Sequence, residues 1–429
     1  MKICIIGVGY VGLVTGACFA DIGHDVICVD VDSDKISKLR AGIIPIYEPG
    51  LDQIVTRNQK TGRIMFSTDI TVGVQKSDMI FITVGTPPDK TEAADLTHVK
   101  AAAGEIARAM NGYKVIVNKS TMPLGSTKLV QGIIEESKIN PHHFEVVSNP
   151  EFLREGSAVE DFLHPDRIII GTHSQKAAEV MTELYSPFNA PVLVMDPVSA
   201  ELIKYASNAF LATKISFINA IANICEKVGA DVREVALGMG YDKRIGFEFF
   251  NAGPGWGGSC LPKDCKALVK IAENYGYDFQ LLKGTIQINE NQKRFIVTKV
   301  RELLGNLKGK DIGILGLSFK PNTDDIRDSP AIDIVRHLRA EGASIKAYDP
   351  VAMENAEHIL KGVKFVHDAY EAAKDSDILL LLTEWDHFKW LDFKKIKSLL
   401  KKPILFDARN YLDSNALKHL GFIYRGVGR

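Results

Sequence analysis

Lys2-Ile3-Cys4-Ile5-Ile6-Gly7-Val8-Gly9-Tyr10-Val11-Gly12 carries a short apolar run into the pattern G-x-G-x-x-G. An apolar stretch, Gly23 and a second run, Val26-Ile27-Cys28-Val29-Asp30, follow it. The order predicts strand, helix, strand. Gly7 permits a tight turn, Gly9 lets backbone approach a pyrophosphate, and Gly12 lets the helix lie close to the strand, with the phosphates on the helix N-terminus. The glycine pattern alone is weak evidence, but Asp30 closes the second strand at the spacing of a carboxylate that binds ribose hydroxyls. Such a carboxylate repels a 2′-phosphate and favours NAD over NADP, whereas Lys35 is a nearby cation that suits NADP.

Residues 3–20 hold no charged side chain and follow Lys2, a pattern shared with signal peptides. Four glycines interrupt the run, and Asp21 and Asp25 close it early. No other segment is long and apolar enough to span a bilayer, so the cytoplasm is the expected location. At 429 residues there is room for two or three domains, and 46% hydrophobic with 24% charged residues is the usage of a globular enzyme. A net charge of -1 gives no bias toward nucleic acid or an anionic membrane, and neither is expected as a partner. The six cysteines are scattered, as reduced thiols are. Cys260 and Cys265 are too loosely spaced for a common zinc half-site and no His pair lies nearby, so no metal is expected.

Strand-like runs at 63–66, 79–84, 114–117, 144–147, 167–170 and 191–194 alternate with helix-like segments, which predicts an α/β fold with a parallel sheet. Three strands run into loops at 84–88, 120–127 and 149–156. Ligands of open α/β sheets gather at the carboxyl ends of strands, so these loops are expected to converge on one cleft, although each alone is an ordinary turn. From Asp196 the texture changes, and 198–228 reads as one long helix joining two α/β domains. Lys204 and Asn208 share a face of it, either on a solvated surface or in a partly apolar cleft. A second α/β pattern runs through 311–320, 345–350, 378–382 and 404–406. It has no full G-x-G-x-x-G, so a second dinucleotide is not expected. The divisions fall at 1–195, 196–300 and 301–429.

Between the halves stands Gly253-Pro254-Gly255-Trp256-Gly257-Gly258-Ser259-Cys260-Leu261-Pro262-Lys263-Asp264. It sets one cysteine between glycine-rich backbone and a helix start marked by Pro262, where helix amides and the Lys263 ammonium stabilise a thiolate. The bland alternative is a glycine turn holding a small buried cysteine.

With these features in place, the whole chain resembles the UDP-glucose/GDP-mannose dehydrogenase family, enzymes that oxidise the C6 alcohol of a nucleotide sugar to a carboxylate. The resemblance rests on residues 7–12, 45–51 (PIYEPGL), 120–127, 149–156, 201–208, 244–264, 319–327 and 407–410. It implies two Rossmann-like domains with parallel sheets, joined by a long central helix that also forms a homodimer interface, with NAD in the first and UDP in the last. It also implies two NAD per sugar. The aldehyde formed first is captured by Cys260 as a thiohemiacetal, oxidised to a thioester, and released by water.

The roles implied are these. Cys260 is the nucleophile; Lys204 and Asn208 stabilise the oxyanion at C6; Asp264 orients Lys204 or a water; Glu151 is the base for thioester hydrolysis, with Thr121 positioning water. Gly7, Val8, Gly9, Tyr10, Val11, Gly12, Asp30, Lys35, Thr86, Thr121 and Glu155 match cofactor contacts, joined by Lys263 and Arg327. Phe152, Leu153, Arg154, Glu155, Lys204, Asn208, Phe249, Asn251, Gly253, Gly257, Cys260, Phe319, Lys320 and Arg409 match substrate contacts. Arg244 corresponds to an arginine that reaches the neighbouring subunit's substrate. Trp256 departs from the Tyr or Phe usual there, which implies modest repacking beside the sugar. Ser259 stands where relatives acting on N-acetylated sugars tend to have His. The loop therefore favours UDP-glucose, with GDP-mannose and UDP-N-acetylmannosamine as alternatives.

No histidine lies in these motifs, which argues against the His-based dehydrogenases. A non-catalytic NAD-binding regulator would need Gly7 to Gly12 and Asp30 but not Cys260, Lys204 and Asp264 together. A two-electron dehydrogenase of the 6-phosphogluconate type would share the NAD domain and the long helix, yield one NADH per substrate and tolerate Cys260→Ser.

Overall fold

The opening run forms β1 (Lys2–Ile6), and its alternation builds two layers at once: Ile3 and Ile5 pack into one core, Cys4 and Ile6 into another. A strand buried on both faces belongs in the middle of a sheet covered by helices on each side. The computed structural model describes residues 1–90, 92, 94–139 and 141–429. The chain divides into one unit of Met1–Ser207 with Lys266–Tyr275, and another of Asn208–Cys265 with Gly276–Arg429.

In the first unit β1 is followed by β2 (Asp25–Val29), β3 (Ile64–Ser67), β4 (Met79–Ile82), β5 (Lys114–Asn118), β6 (Phe144–Ser148), β7 (Ile168–Gly171) and β8 (Val192–Met195). They form one sheet in the order β3-β2-β1-β4-β5-β6-β7-β8. The chain winds outward from β1 to β3 and then returns to β4 on the other side, opening a crevice at the carboxyl ends of β1 and β4. One junction departs from the parallel pattern: β6 meets β7 in an antiparallel bridge, Ser148 opposite Gly171. A Cβ on Gly171 would lie 2.5 Å from the Ala200 Cβ, so this bridge depends on the missing side chain. The charge-free residues 3–20 are thus mostly β1 and the helix Tyr10–Asp21. Among the described residues no helix is long and apolar enough to cross a membrane.

The second unit holds β9 (Asp311–Leu315), β10 (Ser344–Tyr348), β11 (Lys364–Phe365), β12 (Ile378–Leu381), β13 (Ile404–Asp407) and β14 (Ile423–Gly426), all parallel, in the order β11-β10-β9-β12-β13-β14. Sequence patterning finds the four inner strands and misses both edges. β11 has two residues, and β14 buries Tyr424 but leaves Ile423 half exposed, so neither shows an apolar run. The two parallel-sheet domains are joined by the helix Pro197–Val228, of 32 residues. Within the second unit its Ile218, Ala222 and Cys225 pack with Ile296, Val297 and Val300 of the helix Gln280–Leu304.

The first turn is built by close contact. Gly7 has φ +96°, and a Cβ there would lie 2.8 Å from the Val84 nitrogen. A Cβ at Gly12 would lie 2.0 Å from the Gly7 carbonyl oxygen. Gly12→Ala must push the helix off the strand, at a cost of about 1–3 kcal/mol. Scanning calorimetry is expected to show a lower melting temperature for the first unit, and an unchanged one would mean that the helix shifts freely.

Candidate active site

In the first unit the carboxylate of Asp30, just past β2, gathers the glycine turn. Its Oδ2 accepts from the Val8 N–H at 2.7 Å and from Lys35 Nζ at 2.9 Å, and its Oδ1 from the Asp32 N–H at 3.0 Å. Burial pushes the Asp30 carboxyl up, but the Asp32 amide, Lys35 and the Val8 amide outweigh it and hold the group below its ordinary value. Lys35 is therefore tied to the ribose-type carboxylate. Gly9 caps the helix Tyr10–Asp21 without a side-chain cap hydrogen bond, and a Cβ on Gly9 would meet nothing within 4 Å. Open backbone, uncapped amides and an adjacent acid fit a dinucleotide pyrophosphate and ribose.

The loops beyond the strands are laced together at this end. Thr83 Oγ1 donates to the Gly7 carbonyl at 2.7 Å, Thr86 Oγ1 to the Thr121 carbonyl at 2.8 Å and Ser120 Oγ to the Val84 carbonyl at 2.6 Å. Glu48, in the PIYEPGL segment, accepts from the Tyr10 hydroxyl, from the Gly156 N–H at 2.6 Å and from the Ala158 N–H at 2.7 Å. In the sequence Glu48 is marked only as an acid inside a motif otherwise suited to a turn. Glu201 accepts from the Gly125 N–H at 2.6 Å and the Thr127 N–H at 2.8 Å, and so fixes the loop that carries Thr121.

Glu151 and Lys204, expected as base and oxyanion cation, form a buried ion pair with Nζ 2.9 Å from Oε1. Glu151 Oε2 also accepts from the Leu153 N–H at 2.6 Å. Burial pushes the Glu151 carboxyl up, yet Lys204, the Leu153 amide and Lys119 together hold it below its ordinary value. The Phe152 ring lies under the Arg167 guanidinium at 3.7 Å and near Lys204 Nζ at 5.6 Å. Thr121, Lys204, Glu201 and Asn118 line a small niche with about 10 Å³ open to the centre of a water molecule, about the room one water needs. Arg154 instead turns outward to Asp161, at 2.6 Å, and Glu155 is half-buried on the same loop.

In the second unit Cys260 is half-buried and immediately precedes the helix Leu261–Asn274. Its carbonyl accepts from the Asp264 N–H at 2.9 Å, and Ser259 Oγ lies 3.6 Å from Sγ. Asp264, only 1% exposed, accepts from Asn208 Nδ2 at 2.6 Å through Oδ2 and from Lys263 Nζ at 2.6 Å through Oδ1. The partners of Asp264 within this unit are thus Asn208 and Lys263. The glycine-rich loop is clasped by amide side chains: Asn219 Oδ1 accepts from the Gly253 N–H at 2.8 Å, Gln292 Nε2 donates to the Gly253 carbonyl at 2.9 Å, and Asn289 bonds both N–H and C=O of Trp256. Trp256 itself is buried and donates its indole N–H to Ser216 Oγ at 2.9 Å. These three amides are not legible in the sequence, because one polar residue on a helix reads as a wet face. The other five cysteines are buried.

Gly258 N–H donates to the Arg327 carbonyl at 2.9 Å, and a Cβ on Gly258 would lie 2.7 Å from the Phe319 ring, so this loop packs against the segment that follows β9. Arg409 Nη2 donates to the Phe319 carbonyl at 2.9 Å and its Nε to the Leu382 carbonyl at 2.8 Å, while Lys320 Nζ lies 5.7 Å from the centre of the Phe319 ring. Gly253, Gly257, Phe319, Lys320 and Arg409 are thus gathered at one end of the second sheet. Arg244 stands apart, its side chain 89% exposed and paired with Asp242 at 2.6 Å. Asn251 is exposed, and Arg327 turns to Asp325 at 2.7 Å.

A crevice at a topological switch point, an open glycine turn and an acid after β2 define a dinucleotide-binding protein of the dehydrogenase type. Three family models match the chain: the NAD binding domain of the UDP-glucose/GDP-mannose dehydrogenase family over residues 1–189, its central domain over 198–291 and its UDP binding domain over 313–414. The chain belongs to this family, and NAD is its cofactor. It is 52% identical to the UDP-glucose 6-dehydrogenase TuaD of Bacillus subtilis (strain 168), covering all of this chain and 93% of that one. A solved UDP-glucose dehydrogenase from Pyrobaculum islandicum matches with a TM-score of 0.93 and 40% identity, over 99% of this chain and 97% of that one. A UDP-D-ManNAc dehydrogenase from Pyrococcus horikoshii matches with a TM-score of 0.87 and 27% identity, over 100% and 99%.

Because Gly9 has room for a methyl group where a pyrophosphate would approach, Gly9→Ala is expected to leave the melting temperature unchanged and to weaken NAD binding about tenfold or more, some 1.4 kcal/mol. Titration of NAD by calorimetry checks it, and unaltered affinity would remove the pyrophosphate from this turn.

Proposed function

We propose that this chain is an NAD-dependent UDP-glucose 6-dehydrogenase, which takes the C6 alcohol of UDP-glucose through an aldehyde to the carboxylate of UDP-glucuronate. The observation that carries the reading is Cys260, half-buried at a helix start on a loop clasped from two helices, in a chain similar over its whole length to UDP-glucose 6-dehydrogenases. Bound NAD supplies the hydride acceptor for each of the two oxidations.

Cys260 adds through Sγ to the C6 aldehyde, giving a thiohemiacetal whose oxidation leaves a thioester; water then cleaves the C–S bond and returns the thiol. Asp264 takes one N–H of the Asn208 amide, which leaves the second N–H for the oxyanion on C6. Lys204 serves the same oxyanion. While Lys204 is paired with Glu151 the carboxylate is a weak base, and as Lys204 turns to the oxyanion Glu151 becomes free to accept a proton from the attacking water. Thr121 borders the niche suited to that water. The glycine turn, Asp30, Thr86 and Glu155 are assigned to NAD, as are Lys263 and Arg327. Phe152, Leu153, Phe249, Asn251 and the Gly253, Gly257, Phe319, Lys320 and Arg409 group are assigned to the nucleotide sugar.

The division into an NAD part (1–195), a central part (196–300) and a UDP-sugar part (301–429) belongs to the same proposal, as does a cytoplasmic location. So does a homodimer. Phe210, Phe217 and Ile224 recur at heptad spacing on the long helix and are 65%, 46% and 54% exposed, an apolar stripe suited to a second copy. An Arg244 exposed at the surface suits a contact with the partner's substrate. UDP-N-acetylmannosamine and GDP-mannose remain the competing substrates. Ser259 in place of a histidine, together with the higher identity to UDP-glucose enzymes than to the UDP-D-ManNAc enzyme, favours UDP-glucose.

Two NADH per UDP-glucose consumed, measured at completion beside the two competitors, is the expected stoichiometry. One NADH would remove the thioester route, and none would leave an NAD-binding regulator. Cys260→Ser is expected to abolish steady-state turnover almost entirely, and Arg244→Ala to raise the KM for UDP-glucose with little change in the KM for NAD.

A further inference from the structure

Asn118 ends β5, is 4% exposed and has no role in the chemistry above. It stands opposite Ser148 of β6 in the parallel register, and the alternation of the two strands turns both side chains to the face that carries Ile116 and Val146. Both residues line the niche at the carboxyl ends of these strands, together with Ser120, Thr121, Glu201 and Lys204. Several of these neighbours are engaged by the protein itself. Ser120 Oγ donates to the Val84 carbonyl at 2.6 Å, the two oxygens of Glu201 accept from the Gly125 and Thr127 N–H groups, and Lys204 is paired with Glu151. Asn118 differs. Its Oδ1 and Nδ2 are both buried, and among the described residues neither meets a hydrogen-bonding group. A buried carboxamide with all its bonds unmade is costly, and native proteins meet such a cost with an internal water held by several polar groups. This niche has room for one such molecule and a polar lining to hold it.

We propose that Asn118 is a positioning residue for thioester hydrolysis: its carboxamide holds in this niche the water molecule that attacks C6. The inference rests on the activity proposed above. The niche is tied to the chemistry by Thr121, which lines it, and by Lys204, which lines it too and whose Nζ is 2.9 Å from the base Glu151. A primary amide can take one water in two ways at once, accepting an O–H through Oδ1 and donating an N–H from Nδ2 to the oxygen. One O–H and one lone pair of the water are then left for reaction. The lone pair adds to C6 of the thioester, the proton of that O–H passes to the Glu151 carboxylate, and the C–S bond breaks with its electron pair on Cys260 Sγ. The proton left on the new carboxyl group returns to the thiolate.

Two measurements test this. A crystal structure of the unsubstituted chain is expected to show an ordered water within about 3.2 Å of both Asn118 amide atoms. A niche without that water overturns the proposal, and this arm needs no variant to fold. Asn118→Leu, similar in size and unable to hold the water, is then mixed with UDP-glucose and excess NAD in a stopped flow. NADH is expected to rise at the wild-type rate in a burst approaching about two per chain, followed by steady turnover about tenfold slower. Because both oxidations precede the slowed step, kcat and the KM for UDP-glucose should fall together and leave kcat/KM within about twofold of wild type. Intact-mass spectrometry should show the sugar nucleotide held on Cys260. A lowered kcat/KM without a burst puts the loss in binding or oxidation and overturns the proposal, as does unchanged turnover. If the unsubstituted chain forms no NADH with any sugar nucleotide, the activity reading fails and takes the hydrolytic role with it, while the crystal structure still decides the water site.

Discussion

Buried carboxylates that accept hydrogen bonds from backbone amides are the interaction on which the rest of this protein depends. Loops at the carboxyl ends of parallel strands leave N–H groups without ladder partners, and a buried N–H left unpaired costs about 1–3 kcal/mol. Glu48, Glu151 and Glu201 in the first unit, and Asp349 and Asp407 in the second, are all nearly or fully buried and each takes such amides. Charge-assisted bonds of this kind are roughly twice as strong as neutral ones, so a few acids can hold several loops in one arrangement. Lys204 pairs directly with one of these acids, Glu151, whereas the loop that carries Cys260 is held by the side-chain amides of Asn219, Asn289 and Gln292.

The two sheets use one turn in two ways. Gly316 follows β9 with φ +92°, as Gly7 follows β1 with φ +96°, and Asp349 follows β10 as Asp30 follows β2. Asp349, however, accepts from the amides of Leu317, Ser318, Val351 and Ala352 and from the Trp385 indole. Its lone pairs are spent on the protein. Asp30 is only partly engaged and stands beside an open glycine, so the same turn can take a ribose in the first unit and not in the second.

What the sequence made legible follows from the range of the interactions. The inner strands were readable because a strand buried on both faces is a continuous apolar run, and the glycine turn because Gly7, Gly12 and Asp30 act within thirty residues. Edge strands β11 and β14 lack that run. Glu48 reaches Gly156, more than a hundred positions away, and Lys119 reaches Asn149 and Tyr185; the loop 149–156 is marked as a motif, but no local pattern ties it to Glu48 or to Lys119. Lys204 and Asn208 were equally consistent with a wet helix face, and only their burial and their acidic partners, Glu151 and Asp264, separate the two readings.

The distribution of sulfur also sets how this protein meets its chemical surroundings. Burial raises the thiols of Cys4, Cys18 and Cys265 to about 12, and those of Cys28 and Cys225 also rise, so these five are slow to ionise and hard to reach. Cys260 is the one cysteine that is not buried. An oxidant or alkylating agent added to the folded protein would therefore be directed to a single atom, and under the role proposed for Cys260 the fraction of protein modified would equal the fraction silenced. Under that role, reagent consumed per chain counts working sites directly, and a reducing environment is a condition for activity without being one for the fold.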